Sequence, residues 1–186
     1  MGNNLRRYLR NCLGLLALLL ATVLITSCRS GEVDSMCLWG PIPDDAKMER
    51  LKKRGVKTIV NCRLNRLEGR EKKARELGLN YEHIPTGLFG PPSDENINKF
   101  LAIIRNPDNC PIYICDQVAR DRTQFYAAVY GMSAHQWSAE KASKAMYRNG
   151  LRHWWPWFYS YKPKVKEMEE TIHSNGAITK AQAAVN

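Results

Sequence analysis

The chain has 186 residues, 44% of them apolar, and a formal charge of +10. That is enough for one domain with a proper core, and an apolar content ordinary for a globular protein. The basic excess is spread along the chain rather than gathered into a run, which argues against a nucleic-acid site and for a solvated basic surface favouring anionic lipid or phosphoesters.

Residues 1–28 read as a signal peptide. Arg6, Arg7 and Arg10 make a positive start, and Leu13 to Ile25 is almost wholly apolar. That run is short for a bilayer-spanning helix, which needs about 20 residues. It ends in Ile25-Thr26-Ser27-Cys28, which resembles the lipobox of bacterial lipoproteins, where the cysteine is acylated and becomes the new N-terminus. The alternative is an uncleaved anchor helix. Both place the domain outside the cytoplasm, at the cell envelope. Arg29 rather than Asp after the cysteine favours the outer membrane in a cell that has two. Residues 29–35 read as a polar tether, and 36–174 as the folded domain.

Within the domain, Met36 to Trp39 is a predicted strand with Gly40-Pro41 as its turn. Asp44 or Asp45 caps a helix to Arg54, with Met48 and Leu51 inward and Gly55 as its stop. Thr58 to Asn61 is a strand, Leu67 to Leu77 a charged helix with Ala74 and Leu77 inward, and Tyr81 to Ile84 a further strand. Ser93 and Asp94 open a helix whose buried stripe is Phe100, Leu101 and Ile104. Ile112 to Ile114 is a short apolar strand, and Phe125, Ala128, Val129 and Met132 recur at helical spacing. Ser138 caps a helix over Ala139 to Arg148. The cluster from Trp154 to Tyr161 is expected to pack a terminal segment onto the body, Lys164 to His173 to form a last helix, and 175–186 to be a flexible tail. Helix and strand alternate, so the predicted fold is α/β: a mainly parallel sheet of four to five strands with helices on both faces.

The stretch that carries chemistry is Pro111 to Gln124, a strand, a polar loop and a helix start. Free backbone N–H groups at such a helix start face the end of the strand, and an anion is their natural occupant. Asp121-Arg122-Thr123 resembles the end of the active-site loop of the cysteine-dependent protein tyrosine and dual-specificity phosphatases. That loop reads His-Cys, five residues, Arg, then Ser or Thr. Gly55-Val56-Lys57-Thr58-Ile59-Val60-Asn61 is similar to a segment of the same family, as is Gly78 to Pro85. The resemblance covers about 36–150 and implies that family's fold.

Four departures stand in this stretch. Six residues before Arg122 is Asp116, where the family has its nucleophilic cysteine; Cys115 takes the place of its histidine. Ala119 and Gln124 replace loop glycines. A fifth departure lies upstream: the general-acid position, before Pro91-Pro92, holds Leu88, and the nearest acid, Asp94, reads as a helix-capping residue. The family's reaction is a two-step phosphoryl transfer through a thiolate of lowered pKa. Cys115, one residue earlier on a strand, faces away from the side that Asp116 faces. By the resemblance, Gln117, Val118, Ala119, Arg120, Asp121, Arg122 and Thr123 form the phosphate-binding loop. Asp116 is expected to occupy it as an internal stand-in for the ligand, with Arg122 folded over. The alternative is a collapsed loop with Asp116 turned to solvent.

The sequence therefore reads as a tyrosine/dual-specificity phosphatase-like lipoprotein, inactive and serving as a binding or scaffold module for a phosphorylated protein or another anionic ligand. The alternative is an active phosphatase with a non-standard site. No cofactor is called for: His83, His135, His153 and His173 lack metal-ligand spacing. Cys37, Cys62, Cys110 and Cys115 allow two disulfides in three connectivities. Cys62 and Cys115 end neighbouring strands in the family fold, so the resemblance allows that pairing; free buried thiols are the other reading.

Overall fold

The computed structural model describes residues 29–152, 156 and 159–183. Residues 1–28, which hold the expected signal peptide and Cys28, and His153, Trp154, Trp155, Trp157 and Phe158, lie outside the described residues. The elements are β1 (Gly31–Asp34), β2 (Cys37–Pro41), α1 (Asp45–Lys53), β3 (Thr58–Asn61), α2 (Glu68–Glu76), β4 (Asn80–His83), α3 (Asp94–Arg105), a 3-10 turn at Pro107–Asn109, β5 (Ile112–Asp116), α4 (Asp121–His135), α5 (Ala139–Arg148) and α6 (Tyr161–Ala183).

The sheet has the order β1-β2-β5-β3-β4. β5 is central and buried along its whole length. β2, β5, β3 and β4 run parallel, and β1 pairs antiparallel with β2. Period-two alternation divides the strand residues between two cores. Ile112 and Ile114 join Val60, Phe100 and the α4 residues on one face. Tyr113 and Cys115 join Ile59, Met48, Leu51 and Ala74, under α1 and α2, on the other. The α/β fold with helices on both faces is as the sequence predicted.

α4 is the hydrophobic axis of the larger core. Every residue from Asp121 to Met132 is buried, because the helix lies against the sheet and is covered by α3, α5 and α6. Tyr161, at the start of α6, is fully buried and meets the Phe125 ring edge-on at 5.4 Å between centroids. Of the described aromatic residues in the cluster, Tyr161 packs inward and Tyr159 is exposed.

Several local readings change. The supposed tether at 29–35 contains β1. Its Gly-Glu-Val-Asp sequence looks polar because an edge strand needs only one buried face, supplied here by Val33. Asp34 Oδ1 turns the chain by accepting from the N–H groups of Met36 and Cys37, at 2.8 and 3.0 Å. Gly40 and Pro41 are the last residues of β2 rather than its turn. Gly40 lacks a Cβ because one would stand 2.2 Å from the Tyr113 hydroxyl. α6 begins three residues before Lys164 and continues to Ala183, through most of the expected tail. Ser93, not Asp94, caps α3, accepting from the Asn96 N–H at 3.3 Å. Asp94 instead pairs with Lys164 at 2.7 Å. In α3 it is Ile103 that is buried, while Ile104 is half-buried.

The four described cysteines are free and buried. Cys62 belongs to the α4-side core and Cys115 to the opposite one, so the side chains of that candidate pair lie on different faces of the sheet. His83 Nε2 meets the Arg63 carbonyl, His135 Nε2 pairs with Asp34, and His173 Nε2 meets the Trp137 carbonyl. Among the described residues no group of three or more His, Cys, Asp or Glu is arranged to hold a metal.

Candidate functional site

The parallel strands bring their carboxyl ends to one edge, and there the loop 117–120 leaves β5 and turns into α4. Asp116, the last residue of β5, is 1% exposed. It lies two residues after Ile114 and so shares the α4 face of the sheet, whereas Cys115 is turned to the other core, as alternation required. Burial, followed by the neighbouring Asp116 carboxylate, pushes the Cys115 thiol far above its ordinary value. A thiol so protonated has no nucleophilic form at neutral pH.

The Asp116 carboxylate is turned into the loop. Its Oδ1 accepts from the N–H groups of Val118 at 2.9 Å and Ala119 at 2.6 Å. Its Oδ2 receives the Thr123 N–H at 3.4 Å and lies 3.5 Å from Arg122 Nε. Arg122 folds back over the loop, 8% exposed, and its Nη1 donates to the Thr86 carbonyl at 3.2 Å. Backbone donors, a helix start and a guanidinium thus converge on one anionic group. Here that group is part of the chain.

The replaced glycines fit the same arrangement. Ala119 sits at φ 56°, in the left-handed region that glycine tolerates best. The residue is fully buried, and both ends of its backbone are held. Its N–H donates to Asp116, and its carbonyl accepts from Gln124 Nε2 at 3.0 Å. Gln124 is 1% exposed, one turn into α4. Three of the departures from the family pattern, at 116, 119 and 124, therefore meet in one hydrogen-bonded unit. The sequence marked all three positions, but the contact from Gln124 to Ala119 was not legible from their spacing.

The other predicted loop residues divide. Gln117 is exposed, and Val118 and Arg120 are half-buried. Thr123 contributes its N–H, while its hydroxyl is buried without a hydrogen-bond partner. Asp121 does not face the cradle. Its carboxylate accepts from the backbone N–H of Arg152 at 3.0 Å and from Arg152 Nε at 3.0 Å, a forked pair that ties the loop to the segment after α5. Sequence reasoning missed Arg152 and also Thr86. Thr86 joins the Arg122 guanidinium to the Tyr126 hydroxyl, which lies 2.9 Å from Thr86 Oγ1. Leu88 is 55% exposed in the loop after β4, and Asp94 is engaged by Lys164, so neither presents a proton donor to the cradle.

A family model described as "DSP-PTPase phosphatase fused to NAD+ Kinase" matches residues 27–152. A search of the curated proteins gave no match. Among solved structures, PTPMT1 in complex with PI(5)P is similar at 21% identity and TM-score 0.66, covering 78% of this chain and 97% of that one. TpbA of P. aeruginosa is similar at 15% identity and TM-score 0.63, covering 80% and 92%. The catalytic core of the PP-IP phosphatase SIW14 from S. cerevisiae is similar at 12% identity and TM-score 0.60, covering 79% and 96%. These likenesses establish the fold. With the family model spanning more than half of its length, the chain belongs to the dual-specificity phosphatase-like family that this model describes.

Proposed function

We propose that this protein is a lipid-anchored, phosphatase-fold binding or scaffold module of the bacterial cell envelope that does not hydrolyse phosphomonoesters. The observation that carries the reading is the Asp116 carboxylate, held by the Val118 and Ala119 N–H groups and by Arg122. It takes the place of a nucleophile and also uses the donors that would bind a substrate oxyanion. An ionised carboxylate at about 4 Å from a phosphate dianion is repelled by roughly 8 kcal/mol at an effective dielectric of 20, before Arg122 and the amides offset it. A phosphorylated protein or other anionic ligand is therefore met by the outer loop surface around Gln117 or has to displace the carboxylate. The basic start, the apolar run and the Ser27-Cys28 ending support the anchor.

Turnover of a phosphotyrosine peptide, with and without added divalent metal, tests the proposal. The expected rate is that of the protein-free control. Asp116→Cys alone should restore little, because Leu88 cannot protonate a leaving group. Adding Leu88→Asp should help alkyl esters more than aryl ones, which need protonation less. Robust turnover that survives Asp116→Ala and disappears with Cys115→Ser would overturn the proposal and make Cys115 the nucleophile.

A further inference from the structure

The geometry points to the carboxyl edge of the sheet, which carries the self-filled loop, as a face that lies flat on the lipid bilayer. The inference rests on the proposed anchor and adds an orientation to it.

Strand direction supplies the first argument. β1 runs antiparallel to β2, with Gly31 opposite Trp39. β2 runs parallel to β5, with Pro41 opposite Asp116. The chain therefore enters the domain at the same edge from which the loop 117–120 leaves it. Arg29 and Ser30 continue toward that edge. Ser30 Oγ accepts from Lys47 Nζ at 2.8 Å, and Arg29 Nη1 reaches the Arg148 carbonyl at 3.4 Å. Arg148 is close in sequence to Gly150, over which the Arg120 side chain of the loop passes, and to Arg152, which holds Asp121. Cys28 is one residue before Arg29, a Cα step of about 3.8 Å. A membrane anchor ending at residue 28, acyl chain or uncleaved helix alike, leaves almost no slack between the bilayer surface and this edge.

Exposed apolar side chains supply the second. Among the described residues five large apolar side chains are exposed. Three of them, Leu64 at 56%, Leu88 at 55% and Phe89 at 68%, stand on the loops that leave the carboxyl ends of β3 and β4. Met36, at the opposite edge, is the least exposed of the five, at 41%. The anchor is beside β1 and the apolar tips are beside β3 and β4, across a sheet whose outer strands are separated by roughly 19 Å at about 4.8 Å per strand. A plane resting on both ends covers the candidate loop between them. The charges at this edge are mixed: Asp45 pairs with Arg70 and Asp94 with Lys164, while Arg63 and Arg120 make no ion pair among the described residues. The contact is thus set by the anchor and the apolar tips, so it should form on zwitterionic as well as anionic vesicles.

The test uses the full, processed protein reconstituted into phosphatidylcholine vesicles and, separately, into phosphatidylethanolamine/phosphatidylglycerol vesicles. A fluorophore is attached to a single introduced cysteine: Leu64→Cys or Phe89→Cys at the carboxyl edge, Glu76→Cys or Asp108→Cys at the opposite edge. Cys37, Cys62, Cys110 and Cys115 are buried and should not compete for the label. Quenching by bilayer-embedded spin-labelled lipid should be several-fold stronger at 64 and 89 than at 76 and 108, in both kinds of vesicle. Leu88→Asp should weaken that difference. Equal quenching at all four positions on vesicle-bound protein would overturn the orientation while leaving the anchor standing. Labelled protein that does not sediment with vesicles would overturn the anchor and the orientation together.

Discussion

Replacing Asp116 by alanine should convert a self-filled loop into one whose stability depends on anions. The substitution leaves the Val118, Ala119 and Thr123 N–H groups without their acceptor and the buried Arg122 guanidinium without its counter-charge. At the 3.5 Å separation of Arg122 Nε and Asp116 Oδ2, the direct attraction is about 5 kcal/mol at an effective dielectric of 20, before desolvation is subtracted. Breaking one side of a buried ion pair typically costs about 3–5 kcal/mol, because the remaining charge stays buried. For a domain of this size, each kcal/mol lowers the melting temperature by about 2–4 °C. The expected loss in anion-free buffer is therefore about 6–20 °C, read by differential scanning calorimetry. Sulfate or vanadate should recover much of it by occupying the vacated donors: a ligand at 100 times its Kd returns about 2.7 kcal/mol. The unsubstituted protein should barely respond to the same anions. Two results would refute the reasoning. One is an Asp116→Ala variant as stable as the parent in anion-free buffer. The other is an equal anion response in both proteins, which would mean that Asp116 does not occupy the cradle.

The remaining predictions concern its supports. Gln124→Ala removes the donor to the buried Ala119 carbonyl and should cost about 1–3 kcal/mol of unfolding free energy, measured by denaturant titration; a neutral result would mean that Gln124 is only filler. Asp121→Ala should cost about 1.5–3 kcal/mol by removing the acceptor of the partly exposed Arg152, and the double variant with Arg152→Ala should lose less than the two singles summed, as a double-mutant cycle would register. Hydrogen bonds from Arg66 and then Arg75 hold the Glu71 carboxyl down at about 2, below its ordinary 4.5. A depressed folded-state value contributes stability above pH 4.5 that is lost as pH falls toward 2. Both arginines are more than half exposed, so solvent screening reduces the effect to about 1–2 kcal/mol. Glu71→Gln should flatten the acid limb of a stability–pH curve between pH 5 and 2, and an unchanged slope would remove Glu71 as its source.

By itself the sequence determined the layers and their order. Strand-length apolar runs alternating with capped, amphipathic helices are local signals, and they located β3, β5, α1 and α5 to within a residue or two, because Asp44, Ser138 and Gly55 act on neighbouring N–H and carbonyl groups. It also determined that Asp116 and Cys115 face opposite sides of the sheet, since alternation along a strand is a property of the backbone. Tertiary structure decided everything that depends on a distant partner. Gly31–Asp34 became a strand only because β2 offered it an edge, and α6 continued past His173, a limit that its local sequence had suggested. The Asp121 carboxylate faces Arg152, and Asp94 faces Lys164, 70 residues away, so the capping role predicted for Asp94 gave way to long-range pairing. In the same way, the substitutions at 116, 119 and 124 read as separate losses along the chain. The fold brings them into contact, where a carboxylate and an amide hold the two ends of a single strained residue.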